Sequence, residues 1–447
     1  MKFILLMSFL LFCLSSAVYG QAAPAAVAAN SADSSSLSPS LGGPFSDGMF
    51  HYSVSAGEII QKQAFAGSGT YASTSLSGSV DYTSNSVRFP FSALYAGGVM
   101  FSAGANVPTA QTYQNAVVSQ QLVTRNWIFG LSDAVSYMPQ SPTTGYTGIA
   151  GAGDLGPITG PAQGPAGGIL TEYGKRVSNG ITGTAERKLT ASTSINGSSS
   201  WQILRFLDAT GQDTTEVQVN ANLNHRMSAR TTVSAGGAYS NFSYGSNLAL
   251  YNQLGLNGLT YDTRSVDVSV QRLMTHNLSV SVSAGPQWIS SSNAALSPAT
   301  TTVMASASLS YNRHMTTMGL SYYRGANAGS GVQTGTIQDN ISGTVSHSFG
   351  RDWQAAATVG YTNSSGLITD PTVYQDLGIS SGYGSVFGGL QVSRRLSTLL
   401  SAYGSYMAIS QTSSGISTAP NVFSGTGNIF SVGLTWSPKG LIPGHLF

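Results

Sequence analysis

The chain has 447 residues with a formal net charge of +2; 8% of them are charged, while 41% are hydrophobic and 10% aromatic. Ordinary soluble domains carry about 25% charged residues, so this composition argues against a soluble surface, and the aromatic content argues against a disordered chain. What it fits is a wall with one face in lipid and one in water.

In chain order, the N-terminus reads as an export signal: Lys2, an apolar run Phe3–Leu14, then small residues that place cleavage after Gly20. The run is shorter than the ~20 residues a helix needs to cross a bilayer. It contains Cys13, the single cysteine of the chain, so the mature protein is expected to hold no disulfide and no thiol chemistry. Residues 21–45 are rich in Ala, Ser and Pro without periodicity and read as a flexible periplasmic lead-in. No later segment offers ~18 unbroken apolar residues, which excludes transmembrane helices.

From Phe50 onward the pattern is period two, the signature of strands with two unlike faces. In "TEVQVNANLNH", Val217, Val219, Ala221 and Leu223 alternate with Glu216, Gln218, Asn220 and Asn222. In "HNLSVSVSAGPQW", Leu278, Val280, Val282 and Ala284 alternate with Ser279, Ser281 and Ser283. In "TTVMASASLSYNRHMTTMGLSYY", Val303, Ala305, Ala307 and Leu309 alternate with Ser306, Ser308 and Ser310, and the strand turns back at "YNRHM". "DWQAAATVGYT" and "NIFSVGLTW" repeat the design, with Trp353 and Trp436 near strand ends. These ribbons match the ~9–11 residues of a tilted membrane strand.

Short basic knots punctuate the ribbons: Arg187 and Lys188 in "AERKLTAS", Arg226 in "LNHRMSAR", Arg272 in "VQRLMTHN", Arg313 in "YNRHM", Arg351 in "SHSFGRDW", and Arg394 and Arg395 in "VSRRLSTL". "DYTSNSVRF" and "LVTRNWIF" are weaker copies. This is repetition at the scale of one hairpin plus its loop. Between knots lie the long connections Pro139–Lys175, Gly245–Leu259, Gly366–Tyr383 and Thr412–Gly427. Short turns on one side and long loops on the other are expected of an all-β, antiparallel, up-and-down transmembrane barrel, with the turns in the periplasm and the loops outside. Backbone groups in lipid have no water to bond, so the sheet has to close. The ribbons count to about eighteen, with sixteen as the alternative; the barrel is expected over 46–437 and a tail over 438–447.

On this reading the chain resembles Gram-negative outer-membrane β-barrels of the porin-like kind. "VDYTSNSVRFPFSALYAGG" and "RNWIFGLSDAVSYMPQSP" make it similar to uncharacterised barrels associated with exopolysaccharide gene clusters and with acidobacterial outer membranes. Barrels of this class end on an aromatic last strand; here the last ribbon stops at Trp436 and "SPKGLIPGHLF" follows.

Chemistry is sparse. Of the six histidines, His225, His276, His314 and His347 fall at or beside knots and read as polar turn residues; none has metal-ligand spacing. Glycine-rich "GAGDLG" and "GSGTYAS" lack the GK[ST] of a phosphate loop. No enzyme activity, cofactor or metal site is expected. The inward residues are predicted to be Glu216, Gln218, Asn220, Asn222, Ser279, Ser281, Ser283, Ser306, Ser308 and Ser310, lining a mainly hydroxyl and amide lumen. Arg187, Lys188, Arg226, Arg272, Arg313, Arg351, Arg394 and Arg395 are predicted to form a periplasmic girdle that meets anionic head groups, or, with the acidic residues at the loop end, an axial field on ions. The expected function is passive, weakly selective diffusion of small or neutral solutes. The alternatives are an exopolysaccharide export conduit and a plugged barrel acting as a surface adhesin. The expected partners are outer-membrane lipid, the barrel assembly machinery and small or saccharide solutes, with no nucleic acid.

Overall fold

A computed structural model describes residues 49–62, 70–84, 86–103, 110–138, 175–207, 211–246, 249–329, 333–414 and 424–438. The leader and lead-in over 1–45, nearly all of Pro139–Lys175, the middle of Thr412–Gly427 and all but the first residue of the tail lie outside them.

The period-two segments form eighteen strands. The first six are β1 (Met49–Lys62), β2 (Thr70–Thr83), β3 (Phe91–Ala103), β4 (Ala110–Val123), β5 (Trp127–Met138) and β6 (Arg176–Lys188). Next come β7 (Thr193–Phe206), β8 (Asp213–Arg226), β9 (Thr231–Gly245), β10 (Thr260–Leu273), β11 (Leu278–Ser291) and β12 (Thr300–Arg313). The last six are β13 (Thr316–Asn327), β14 (Thr336–Phe349), β15 (Trp353–Gly366), β16 (Gly382–Arg395), β17 (Leu400–Ser414) and β18 (Gly425–Trp436). Each strand pairs antiparallel with its sequence neighbours, and β1 pairs with β18 from Val54↔Trp436 to Lys62↔Asn428. The sheet therefore closes, and no edge is left to pair with another chain. Of the two counts expected, eighteen is the one formed. No helix among the described residues is long and apolar enough to cross a membrane.

Alternation sorts the side chains. Val217, Val219, Val266, Val268, Val303, Val359, Val386 and Leu390 stand exposed on the outer face. Left in water, such a belt would be a very large apolar patch; in a bilayer it meets hydrocarbon. At the turn end the belt is bounded by aromatics. Tyr52 packs edge-on to Trp436 at 5.6 Å, and Trp127 stacks on Phe129 at 5.3 Å. Trp127 and Arg187 are register partners, as are Trp353 and Arg394. In each pair the guanidinium sits over the indole, at 5.3 and 5.0 Å.

Four of the knots turn out to be copies of one turn. In Leu189–Thr193, Met227–Thr231, Met274–Leu278 and Leu396–Leu400, the first two backbone N–H groups both donate to the carbonyl of the last residue. The second residue is always Ser or Thr, and its hydroxyl accepts the N–H two residues on: Thr190 from Ser192, Ser228 from Arg230, Thr275 from Asn277, Ser397 from Leu399. A short hydroxyl closes such a turn locally. The tightest turn leaves only His314 and Met315 between β12 and β13, with His314 at φ 42°.

The opposite end is built differently. The loop after β9 holds a short helix, α1 (Ala249–Gln253), and the loop after β15 holds α2 (Pro371–Leu377). α2 begins with Asp370, whose carboxylate accepts from the Thr372 N–H and hydroxyl, and ends at Gly378 in the left-handed region. Those two bonds hold the Asp370 carboxyl below its ordinary range. Both loops pack into the barrel mouth. Leu256, Leu259, Ile368, Val373 and Tyr374 join Phe242, Tyr244, Tyr261, Tyr383 and Phe387 of the inner wall in one buried cluster. Burial there pushes the Tyr251 hydroxyl of α1 up to about 12.

Candidate permeation path

The inner face is a set of cross-strand hydroxyl and amide pairs. Ser53 bonds Ser79 at 2.8 Å, Ser55 bonds Thr435 at 2.9 Å and Ser73 bonds Ser102 at 2.8 Å. Around the barrel the same contact recurs as Ser136–Ser178, Ser283–Ser306, Ser321–Ser342 and Ser405–Ser431, at 2.6–2.7 Å. All of these join residues directly opposite in register. In this geometry a hydroxyl pair satisfies two polar groups while leaving lone pairs for water.

The ten residues expected to point inward occupy one face by alternation. Glu216, Gln218, Asn220 and Asn222 lie on β8 opposite Val217, Val219 and Ala221; Ser279, Ser281 and Ser283 face Ser310, Ser308 and Ser306 across β11 and β12. Gln218, Asn220 and Ser283 are buried, whereas Ser308 and Ser310 near the turn end are exposed. Asn220 donates to Ser198 at 2.8 Å.

Inward aromatics lie along the wall over glycines of neighbouring strands. A Cβ on Gly360 would collide with the Phe387 ring, one on Gly98 with Tyr113, and one on Gly57 would come 2.6 Å from the Tyr403 hydroxyl. Glycine at these points is a matter of space: the ring takes the volume a side chain would fill.

The eight basic residues expected to form a single girdle divide between faces. Arg187, Arg272, Arg313 and Arg394 fall on the outer face by register, and Lys188, Arg226 and Arg395 alternate with them toward the inside; Arg351 sits in the turn between β14 and β15. Strand parity is the reason: "RK" in β6 and "RR" in β16 put adjacent charges on opposite faces. The histidines are likewise placed by the sheet. His225 bonds Thr193 at 3.0 Å and His347 bonds Thr316 at 2.7 Å, each across a register pair. His51 Nδ1 lies 3.0 Å from Asp81 Oδ2. Among the described residues no group of three or more His, Cys, Asp or Glu converges.

The sequence reading missed the loop cluster and the ties across the mouth. Gln212, before β8, accepts from Thr334 at 2.7 Å, Tyr244 donates to the Ala328 carbonyl at 2.8 Å, and Ser297 donates to the Leu367 carbonyl at 2.7 Å. At its loop end the lumen therefore adds an aromatic and aliphatic roof to the hydroxyl and amide wall. The signal for α2 was present in "DPTVYQDLG", an N-cap Asp, Pro in the first turn and a closing Gly. The clustering itself depends on closure of the sheet.

A closed sheet with an apolar outer belt, an aromatic and arginine rim and a hydroxyl- and amide-rich inner face decides the class. The chain is an outer-membrane-type β-barrel. No protein-family model matches it, and no curated protein does. Among solved structures it is similar to Pseudomonas aeruginosa OccK2 (OpdF), with a TM-score of 0.44 and 9% identity over 88% of this chain and 98% of that one. Pseudomonas aeruginosa OprD gives 0.43 and 8% over 90% and 97%, and OccK1 (OpdK) gives 0.44 and 8% over 89% and 100%. At this level of likeness, the fold rests on the closed sheet itself.

Proposed function

We propose that the chain is a passive outer-membrane channel for small polar solutes, with weak selectivity, its turns in the periplasm and its loops outside. The observation that carries this is the hydroxyl and amide wall. Barrels of about eight strands fill their interior with side chains, while those of ~16–18 strands enclose an aqueous channel. Here the Ser and Thr groups bond each other along the wall, and the inward rings of Tyr113, Phe387 and Tyr403 lie over glycines. Few charges face the mid-lumen, and strong ion filters use charged rings. Outer-membrane lipid at the Trp–Arg rim, the assembly machinery and small or saccharide solutes are the partners this reading proposes.

A second reading is favoured by one feature. The apolar cluster under α1 and α2 roofs part of the mouth, as a gated conduit or a plugged, adhesin-like barrel would need. Refolded protein in a planar bilayer separates the two. Stable open steps at low voltage, reduced by neutral oligosaccharides small enough to enter, are expected. A silent protein that still migrates as a heat-modifiable barrel would sink the open channel.

A further inference from the structure

Two carboxylates stand on the lipid side of the wall, at the depth where the belt should be most apolar. Glu58 of β1 is the register partner of Val432, and Asp133 of β5 that of Ile181, both of them exposed outer-face residues. Glu58 accepts from the Thr74 hydroxyl at 2.8 Å, and Asp133 accepts from the Asn179 amide at 2.7 Å. Neither belongs to a described ion pair. Glu58 lies six residues along β1 from Tyr52, and Asp133 six residues along β5 from Trp127, both aromatics of the turn-end rim. Six strand residues at the usual tilt climb about 15 Å, close to the middle of a ~25 Å apolar belt.

Other strands follow the rule that these two break. Six residues from Trp353 stands Val359, and six from Trp436 stands Phe430, 59% and 46% exposed. The other outward carboxylates of the described strands are Asp213, Asp262 and Asp339. Each falls in the first four residues of its strand, at the loop end, with an arginine or tyrosine partner: Arg205, Tyr239 and Arg324. Hydrocarbon offers Glu58 and Asp133 neither a donor nor a counter-charge.

The face between the two acids is arranged about its centre. Gly97 of β3 lies six residues from Phe91, which packs against Tyr82 at the same rim. Glu58, Gly97 and Asp133 therefore stand at one depth on β1, β3 and β5. Gly97 pairs with Gly78, and a Cβ on Gly97 would come 2.8 Å from the hydroxyl of Tyr95, which lies down over it. The middle of the face is low, and low faces let two membrane surfaces approach closely. Gln114, the other register partner of Gly97, is exposed, and its amide enters none of the described hydrogen bonds.

A two-fold axis along the membrane normal preserves depth. Placed beside Gly97, it sets β1 of one copy against β5 of the next and brings Glu58 level with Asp133 of the other copy, the self-complementary pairing of a two-fold interface. The Gln114 amides then lie among the acids as donors, and two carboxyls that meet out of water bond through a shared proton.

We propose that the outer face of β1–β5 is covered in the membrane by the same face of a second copy of this chain. The pairing holds whether or not the lumen conducts.

The test is cysteine cross-linking of the refolded full chain in lipid vesicles, in a Cys13→Ser background that leaves no other thiol. Val99→Cys, two residues from Gly97 on the same outer face, should give a disulfide-linked dimer on mild oxidation. Val303→Cys, on β12 across the barrel, should not. Sedimentation equilibrium in density-matched detergent should give the parent twice the mass of one chain. Gly78→Trp, which fills the low centre, should sediment as one chain, and Gly343→Trp, outward on β14, should stay double. Glu58→Leu/Asp133→Leu should weaken association at least ten-fold. Heat-modifiable migration checks that each barrel is folded, and the Val99→Cys cross-link carries the test should Gly78→Trp fail to fold. A parent of single-chain mass with no Val99→Cys cross-link overturns the proposal and leaves the face to lipid. Equal cross-linking of Val99→Cys and Val303→Cys also overturns it, because no particular face would then be shared.

Discussion

The two ends of this barrel are stabilised in opposite ways. At the turn end four of the connections close themselves in one way: two N–H groups on one carbonyl, one Ser or Thr hydroxyl on the N–H two residues further on. At the loop end little is local. Residues from the loops after β7, β9, β11, β13 and β15 meet one another only because the closed sheet brings them together. The first end is written in short segments and tolerates changes to its neighbours. The second is cooperative, so a single change there should spread. That contrast sets the order of expected effects.

The largest effect should come from the cluster. Leu256 is fully buried among Tyr251, Leu259 and Tyr261. Leu256→Ala removes that packing at a cost of about 2–5 kcal/mol, and Leu256→Asp adds a buried charge. Since the barrel strands do not depend on the roof for their hydrogen bonds, the expected result is a released loop on an intact barrel. Limited proteolysis should then cut within 246–259, and single-channel conductance should rise while heat-modifiable migration stays. Unchanged proteolysis would show that the roof is held by something other than its apolar contacts.

A smaller effect is expected on the wall below. Gly360 leaves room for the Phe387 ring, and Gly360→Val drives the two together. Overpacking of this kind costs about 1–3 kcal/mol, and the ring's remaining escape is toward the lumen. Conductance should fall in Gly360→Val and recover in Gly360→Val/Phe387→Ala. A drop that the second substitution fails to relieve would place the obstruction elsewhere.

At the rim the comparison becomes one of neighbours in sequence. Arg394 lies over the Trp353 ring on the outer face, while Arg395 turns inward and donates to the Arg351 carbonyl at 2.6 Å. Arg394→Gln should leave ion selectivity untouched and cost about 0.5–1 kcal/mol, the value of an exposed cation–aromatic contact. Arg395→Gln should shift the reversal potential toward cations with little change in stability. Equal selectivity shifts in the two variants would contradict the division of the basic residues between faces.

Much of this was legible before any coordinates, for a physical reason. Period two is a property of single strands, so Val217 and Gln218 declare their faces without reference to the rest of the chain. The basic knots marked one rim for the same reason. The strand count was readable only to within a pair, because the first ribbons carry weaker alternation: Glu58 falls among the outward residues of β1 and Asp133 among those of β5. The roof was not read. "NLALYNQLGLNGL" and "GLITDPTVYQDLGI" are apolar stretches in loops, and nothing within them says that they will face each other across a mouth.

The smallest expected effect tests the claim that the turns are interchangeable. If Ser397→Ala removes only a local hydroxyl, Leu399 and Leu400 lose their side-chain acceptor, but the bonds from Leu396 and Ser397 to the Leu400 carbonyl remain. The cost should be about 0.5–1 kcal/mol, that of one net hydrogen bond. Ser228→Ala and Thr275→Ala should cost the same and add to it, because no described hydrogen bond joins one of these five-residue turns to another. Urea unfolding of the single, double and triple variants in lipid vesicles would measure the sum. Additivity would mark the turn end as a row of independent closures, whereas a triple variant far less stable than the sum of the singles would make it as cooperative as the roof.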